Sequence, residues 1–316
     1  MRMTPAVIVL GGLLVFAPVI FIHIGLPWLT ISEHGSDIFR PRTPLEETGR
    51  DIYVNNGCTY CHTQFIRNID WGIGAERIAQ SGDYVADSPH LIGTERTGPD
   101  LSEEGGEHPD DWHLAHFANP RYTRPESIMP SWEFLGPEKI QALIAYKQSL
   151  GYKLADQRME RQRYWKEESI GAYEAGPDKN VEWLHGNVPE PWTKLPNPYL
   201  TTVPAVKRGH RIYQSFCIGC HGPVGDGMGP AERYLYPPPL NFTILKDRGI
   251  SGGILYYQIM NGITGTAMPY FKKDLESEKI WDVGNYVAVT FIGQTDAHEQ
   301  PRGIDVSFEP VVKDKQ

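Results

Sequence analysis

At 316 residues the chain is long enough for about two domains, and with 40% hydrophobic and 22% charged residues it is too apolar to be a disordered segment. A formal net charge of −9 argues against nucleic acid and suits docking of a basic soluble protein. The 26 prolines and 32 glycines call for long irregular loops between helices.

No Lys, Arg, Asp or Glu occurs from Pro5 to Ser32, a stretch longer than the about 20 residues that a membrane-spanning helix needs. A cleaved signal would have a shorter apolar core, roughly 7–15 residues, followed by a small-x-small site. Neither is found, so residues 1–32 are expected to stay on the chain as a single anchor in contact with lipid, with Trp28 near its outer end. Arg2 on one side and Arg40 and Arg42 on the other leave the orientation undecided by charge. His23 lies within the span, where a neutral imidazole bonded to a neighbouring helix is the plain expectation.

Cys58-Thr59-Tyr60-Cys61-His62 and Cys217-Ile218-Gly219-Cys220-His221 are two copies of C-x-x-C-H, and they use all four cysteines. This pentapeptide attaches c-type haem: the thiols add to the porphyrin vinyl groups as thioethers and the histidine becomes the proximal ligand. A thioredoxin-like pair or half a zinc site would need no histidine directly after the second cysteine, and would not explain the repetition. Two covalently bound haem c are therefore expected. Because bacteria attach haem c outside the cytoplasmic membrane, the haem regions should face the periplasm.

Each motif sits in the same plan: amphipathic helix, haem motif, long loop, Met-Pro, amphipathic helix. Gly49-Arg50-Asp51-Ile52-Tyr53 precedes the first motif and Gly209-His210-Arg211-Ile212-Tyr213 the second. Gly and Tyr four apart share one helical face, where glycine admits another helix and the aromatic packs beside the haem. The closing helices are expected over Pro137–Leu150, with Ile140, Leu143, Ile144 and Leu150 on one stripe, and over Ser277–Phe291. Gly151 should end the first of these, and Gly284 and Tyr286 should meet the opening helix near Gly209. Lys153–Glu168 reads as a solvated charged helix, and the prolines from Pro177 to Pro204 as an extended, semi-rigid inter-domain connector that packs over one or both domains. The whole is all-α: an anchor at 1–32, a cytochrome c domain at 33–151, a connector at 152–203, a second cytochrome c domain at 204–298 and a tail at 299–316.

A haem that only passes electrons needs a second strong axial ligand, and methionine opposite histidine raises the potential. Met129, in Pro125-Glu126-Ser127-Ile128-Met129-Pro130, is the candidate after His62; Met159 lies in the charged helix. Met268, in Gly265-Thr266-Ala267-Met268-Pro269, is the candidate after His221, because Met228 follows that histidine too closely and Met260 lies in a helix. His113 and His116 are expected to hydrogen-bond around the haem propionates rather than bind a metal, and Arg121 to pair with a propionate.

Residues 45–150 resemble the membrane-anchored monohaem cytochrome c subunit of cbb-type (C-family) haem-copper oxidases. The matching blocks are the glycine helix from Gly49, Cys58 to Arg67, Arg96-Thr97-Gly98-Pro99-Asp100-Leu101, Trp112-His113 with His116 and Asn119-Pro120-Arg121, and Pro125 to Ser131. Residues 204–293 are similar to class I cytochrome c domains through Cys217 to Gly222, Gly225-Asp226-Gly227 and Met268-Pro269. The resemblance implies His62 and Met129 as one axial pair, and an electron-transfer subunit without a catalytic site of its own. Its acceptor would be the polytopic catalytic subunit of a terminal oxidase, and its donor a basic cytochrome c or small copper protein. A second haem region on the same polypeptide departs from that family, so a nitric oxide reductase subunit and a free-standing anchored shuttle stand as alternatives. A dihaem peroxidase would need an open sixth site, against which the two Met-Pro loops argue. The second region is expected to hang on its connector, open to donors.

Overall fold

The computed structural model describes residues 4–30, 34–73, 75, 77–93, 95–246, 248 and 250–293. The tail at 299–316, the domain end at 294–298 and the anchor positions 1–3 and 31–32 lie outside the described residues. Described residues form helices and turns with no strand. Two units separate: residues 1–39 with 80–90, and 40–79 with everything from 91 on.

In the first unit, α1 runs Pro5–Thr30, 26 residues with mean hydropathy of 2.7. At 1.5 Å per residue it measures about 39 Å, enough to cross a hydrocarbon core of about 30 Å with tilt. Thr4 caps its first turn, accepting from Val7 N–H at 3.4 Å. Between Pro18 and Pro27, which donate no backbone hydrogen bond, the helix widens into a π turn over Phe21–Gly25. His23 lies in that turn and donates from Nδ1 to Val19 O at 2.9 Å. Its ring is thus satisfied inside its own helix. Elsewhere in this unit Ser36 donates to Asp83 at 2.5 Å.

The second unit holds both haem regions. α2 (Pro44–Asn55) begins in a reciprocal cap: Thr43 accepts from Glu46 N–H while the Glu46 carboxylate accepts from Thr43 N–H. α3 is Asp110–Ala118 and α4 is Pro137–Ser149. Gly151, at φ 105°, ends α4 in a conformation other residues avoid. α5 (Tyr152–Glu174) and α6 (Pro177–Gly186) follow, then α7 (Val203–Phe216), α8 (Gly252–Asn261) and α9 (Ser277–Val287).

One contact organises each region. A Cβ placed on Gly49 of α2 would lie 1.9 Å from Ala142 O and 2.7 Å from Tyr146 Cβ of α4. On Gly209 of α7 it would lie 2.0 Å from Asp282 O and 2.8 Å from Tyr286 Cβ of α9. Tyr53 and Tyr146 stand 5.3 Å apart at 59°, and Tyr213 and Tyr286 5.3 Å apart at 55°. Tyr286 is where the repeat places it, but Gly284 is not: a Cβ there meets nothing within 4 Å. Helical periodicity carries Asp282 and Tyr286, four apart, onto the contact face and turns Gly284 away.

The proline-rich stretch is not an extended connector. Pro177 occupies the first turn of α6, where a missing N–H costs nothing, and Glu190–Thr193 adds another helical turn. The second region does not hang free either. Gln162 of α5 accepts from Gly265 N–H at 2.7 Å, and Gln258 of α8 donates to Leu184 O of α6 at 2.9 Å. Arg124 pairs with Asp274 at 2.7 Å and lies 5.4 Å over the Phe216 ring, and Ser215 donates to Glu126 at 2.7 Å. Trp112, Ala115, Ala231, Leu235 and Ala267 form one buried cluster across the two regions.

Gly49→Ala and Gly209→Ala should each destabilise the haem-loaded protein by about 1–3 kcal/mol through overpacking against backbone. Gly171→Ala, where a Cβ meets nothing within 4 Å, should be neutral or gain up to about 1 kcal/mol of helix propensity. Denaturant unfolding followed by helical circular dichroism compares the three.

Candidate functional site

Both C-x-x-C-H segments are tight turns at the end of the opening helix. Gly57, at φ 72°, turns the chain out of α2 into Cys58–Tyr60, and His62 N–H donates to Cys58 O at 3.0 Å. Cys217 ends α7, Ile218–His221 makes a helical turn, and His221 N–H donates to Cys217 O at 3.0 Å. Burial pushes the Cys58 thiol up to about 11, and the Cys217 and Cys220 thiols to about 12. Such thiols are not the low-pKa thiolates of a redox pair. No cluster of metal-binding side chains occurs among the described residues.

Each histidine is aimed by a carbonyl. Pro99 O lies 2.8 Å from His62 Nδ1, and Leu240 O lies 3.3 Å from His221 Nδ1. A carbonyl only accepts, so Nδ1 carries the proton and Nε2 keeps its lone pair for a metal. Packing fixes the rings as well. A Cβ on Gly98 would sit 2.3 Å from the His62 ring, and Phe242 stacks on His221 at 4.4 Å. Burial, with the Lys147 charge second, lowers the His62 pKa; burial lowers His221 to about 4. Both rings are thereby held neutral, the form that ligates.

The loop holding Pro99 is tied down by Arg96. Its guanidinium donates twice to Asp70, both at 2.9 Å, and to Thr63 and Phe65 O at 2.9 Å. Thr63 in turn donates to Asp100. Arg67 and Arg96 hold the Asp70 carboxyl far below its ordinary value.

The two methionines share a local device. Met129 N–H donates to Ser127 Oγ and Met268 N–H to Thr266 Oγ1, each at 3.2 Å. This hydroxyl turn, with the proline after it, fixes the backbone at the methionine. Met129 packs on the core cluster that includes Cys58, and Met268 on the one that includes Cys217. In the second region an apolar cavity is lined by Cys217, Cys220, His221, Leu240, Met268 and Val287 among others. The residues fit haem c: thiols, a lone-pair imidazole and a thioether converge on an apolar space. In the first region Trp132, which packs on the same core cluster as Met129, buries its Nε1–H without an acceptor, as suits a group arriving with carboxylates.

The cavity of the second region is walled partly by the first: Trp112 and Thr123 line it, as do Trp183 and Leu184 of α6. On the opposite face of α3, His113 and Phe117 turn into the first region. One helix thus borders the second region's cavity and the first region's core. Trp112 is stacked between His108, at 3.8 Å, and His116, at 4.7 Å. A Cβ on Gly219 would lie 2.1 Å from Tyr122 O, so the second haem motif rests directly on the first region's backbone. Trp112-His113 with His116 is one of the sequence blocks that carry the family resemblance; the place of Trp112 in the second region's cavity is what only the fold shows. His116 Nδ1 lies 2.6 Å from Thr123 Oγ1, and His113 is fully buried 3.9 Å from Glu104. Arg121 is exposed, its Nη1 on Asn119 Oδ1 at 3.2 Å.

The donor set and fold define a c-type cytochrome carrying an N-terminal apolar helix. Residues 1–149 match the family described as "Cytochrome C oxidase, mono-heme subunit/FixO", and residues 204–287 the family described as "Cytochrome C oxidase, cbb3-type, subunit III". The chain is a fusion of these two kinds of cytochrome c region, as the sequence blocks indicated. By these matches the chain is similar to covalent haem c electron-transfer subunits of cbb3-type oxidases, and its helix Pro5–Thr30 is long and apolar enough to cross a membrane. No curated protein matches the chain. A chain of the Kuenenia stuttgartiensis reducing HAO-like protein complex is 20% identical, covering 81% of this chain and 99% of that one with a TM-score of 0.29, too loose a likeness to bear on the fold.

Burial also lowers His108 to about 4 and His116 to about 3, against about 6.5 in an unfolded chain. The unfolded state then binds protons first, so this contribution is complete above about pH 6.5 and is lost as pH falls toward 4. Unfolding measured between pH 7 and 5 should show stability declining with acidification, with a shallower slope in His108→Phe.

Proposed function

We propose that this chain is a dihaem electron-transfer subunit delivering electrons to the polytopic catalytic subunit of a haem-copper oxidase. Cys58 and Cys61 hold one haem c, ligated by His62 and Met129. Cys217 and Cys220 hold the other, ligated by His221 and Met268. Bound there, the haems supply one-electron iron couples. The chain's own residues hold the axial ligands neutral and rigid, exclude water, and join the two pockets. Haem regions spanning 33–151 and 204–298 face the periplasm. In the sequence the first follows the anchor after only the short segment from Glu33 to Pro44, which supports its role as exit to the membrane partner. A basic cytochrome c or small copper protein fits as donor to the second.

The observation that carries this reading is α3: its Trp112 lines the second pocket while His113 and Phe117 lie in the first region. A helix shared by the second cavity and the first region's core supports transfer within a single body, where a free connector would leave it to chance encounter.

In the oxidised protein the near-infrared methionine-to-iron band should fall partly in Met129→Ala, partly in Met268→Ala, and vanish in the double variant. A variant that keeps the band whole rejects that ligand. With Cys217→Ala/Cys220→Ala, reduction by the donor should slow while the first haem still passes electrons on. With Cys58→Ala/Cys61→Ala the complex should stop turning over while the second haem still reduces. The opposite pattern would reverse the order. Donor reduction should also slow as salt rises, because the chain's acidity steers a basic partner.

A further inference from the structure

The matched contacts at Gly49 and Gly209 set the closing helices in register: Ala142 corresponds to Asp282 and Tyr146 to Tyr286. Leu143 then corresponds to Val283, and Lys147 to Val287. Val283 and Val287 both line the second pocket. Lys147 therefore occupies a pocket-lining position of the first region, where the second region has an apolar side chain. It is 7% exposed and shares a face of α4 with the buried Leu143 and Ile144. Its nearest carboxylate, Glu104, is 3.9 Å away, too far for a hydrogen bond, and the same oxygen lies 3.9 Å from His113 Nε2. Charge on Lys147 acts on both Cys58 and His62. A buried lysine is unfavourable without close compensation, and neither the crossing contact nor the axial pair needs one here.

We propose that Lys147, partly offset by Glu104, is a charge set into the first pocket that raises the reduction potential of the first haem above that of the second. This rests on the two-haem reading above. A cation near a redox centre favours the state holding one more electron, and a carboxylate opposes it. Val287 puts no charge at the matching place in the second region, where the cation acting on Cys217 is Arg124, part-exposed and paired with Asp274 at 2.7 Å rather than set into the pocket. The potential difference then drives electrons from the second haem to the first.

Redox titration of the purified full chain, followed by haem absorbance, tests this. Two midpoints are expected. Lys147→Met should shift the higher one down and leave the lower in place; Glu104→Gln should shift the higher one up; Lys147→Arg should restore most of the wild-type value. Mere loosening of the pocket would move both variants in one direction. No shift, a joint shift of both midpoints, or shifts of the same sign in Lys147→Met and Glu104→Gln would overturn the proposal. Haem content measured on the same samples separates the two failures: one haem per chain rejects the two-haem reading, whereas two haems without opposed shifts reject the role of Lys147.

Discussion

Opening and closing helices of each haem region meet where only a hydrogen atom fits, at Gly49 against Ala142 and at Gly209 against Asp282. The approach is close because backbone touches backbone, and it puts Tyr146 and Tyr286 against the tyrosines of the opening helices. The C-x-x-C-H turn leaves from the end of one of these helices, so the crossing sets where thiols and histidine emerge. The remaining parts, the carbonyl behind each imidazole and the hydroxyl turn before each methionine, act on side chains that the crossing has already placed.

Much of this was legible from local chemistry. Two C-x-x-C-H motifs, two Met-Pro loops and two Gly-x-x-x-Tyr helices repeat in one order, and each is a short-range pattern whose meaning does not depend on the rest of the chain. The apolar span from Pro5 and the left-handed Gly151 are of the same kind. What sequence hides is the partner of a residue far away in the chain. Trp112, in a block matched to the first region, lines the second pocket. Lys147 carries no motif that marks it, yet it is buried. The prolines near Pro177 suggested an extended connector because proline density was weighed without position; at the first turn of a helix a proline is favourable. Gly284 shares its residue type with Gly209, but helical phase, not residue type, decides which residue of the closing helix meets the opening one.

The two regions also differ where the plan repeats. His62 is braced by Gly98 and by a carbonyl that Arg96 and Asp100 hold in place, whereas His221 is stacked by Phe242 after a run of prolines. Both arrangements protonate Nδ1 and free Nε2, by ionic clamping in one case and by aromatic packing in the other. The closing helices diverge likewise: Asp282, at the crossing, is buried and paired with Arg208 at 2.6 Å, where the first region has Ala142.

Because α3 belongs to the first region's core and also lines the second region's cavity, the chain is not two modules on a string. Cutting it before Val203 would remove Trp112 and Thr123 from the second pocket, leave Ala231, Leu235 and Ala267 without cover, and take the backbone of Tyr122 away from the second haem motif. The joined regions have exchanged separability for a shared interior: neither can be inherited, lost or swapped for a homologous cytochrome without rebuilding the helix between them.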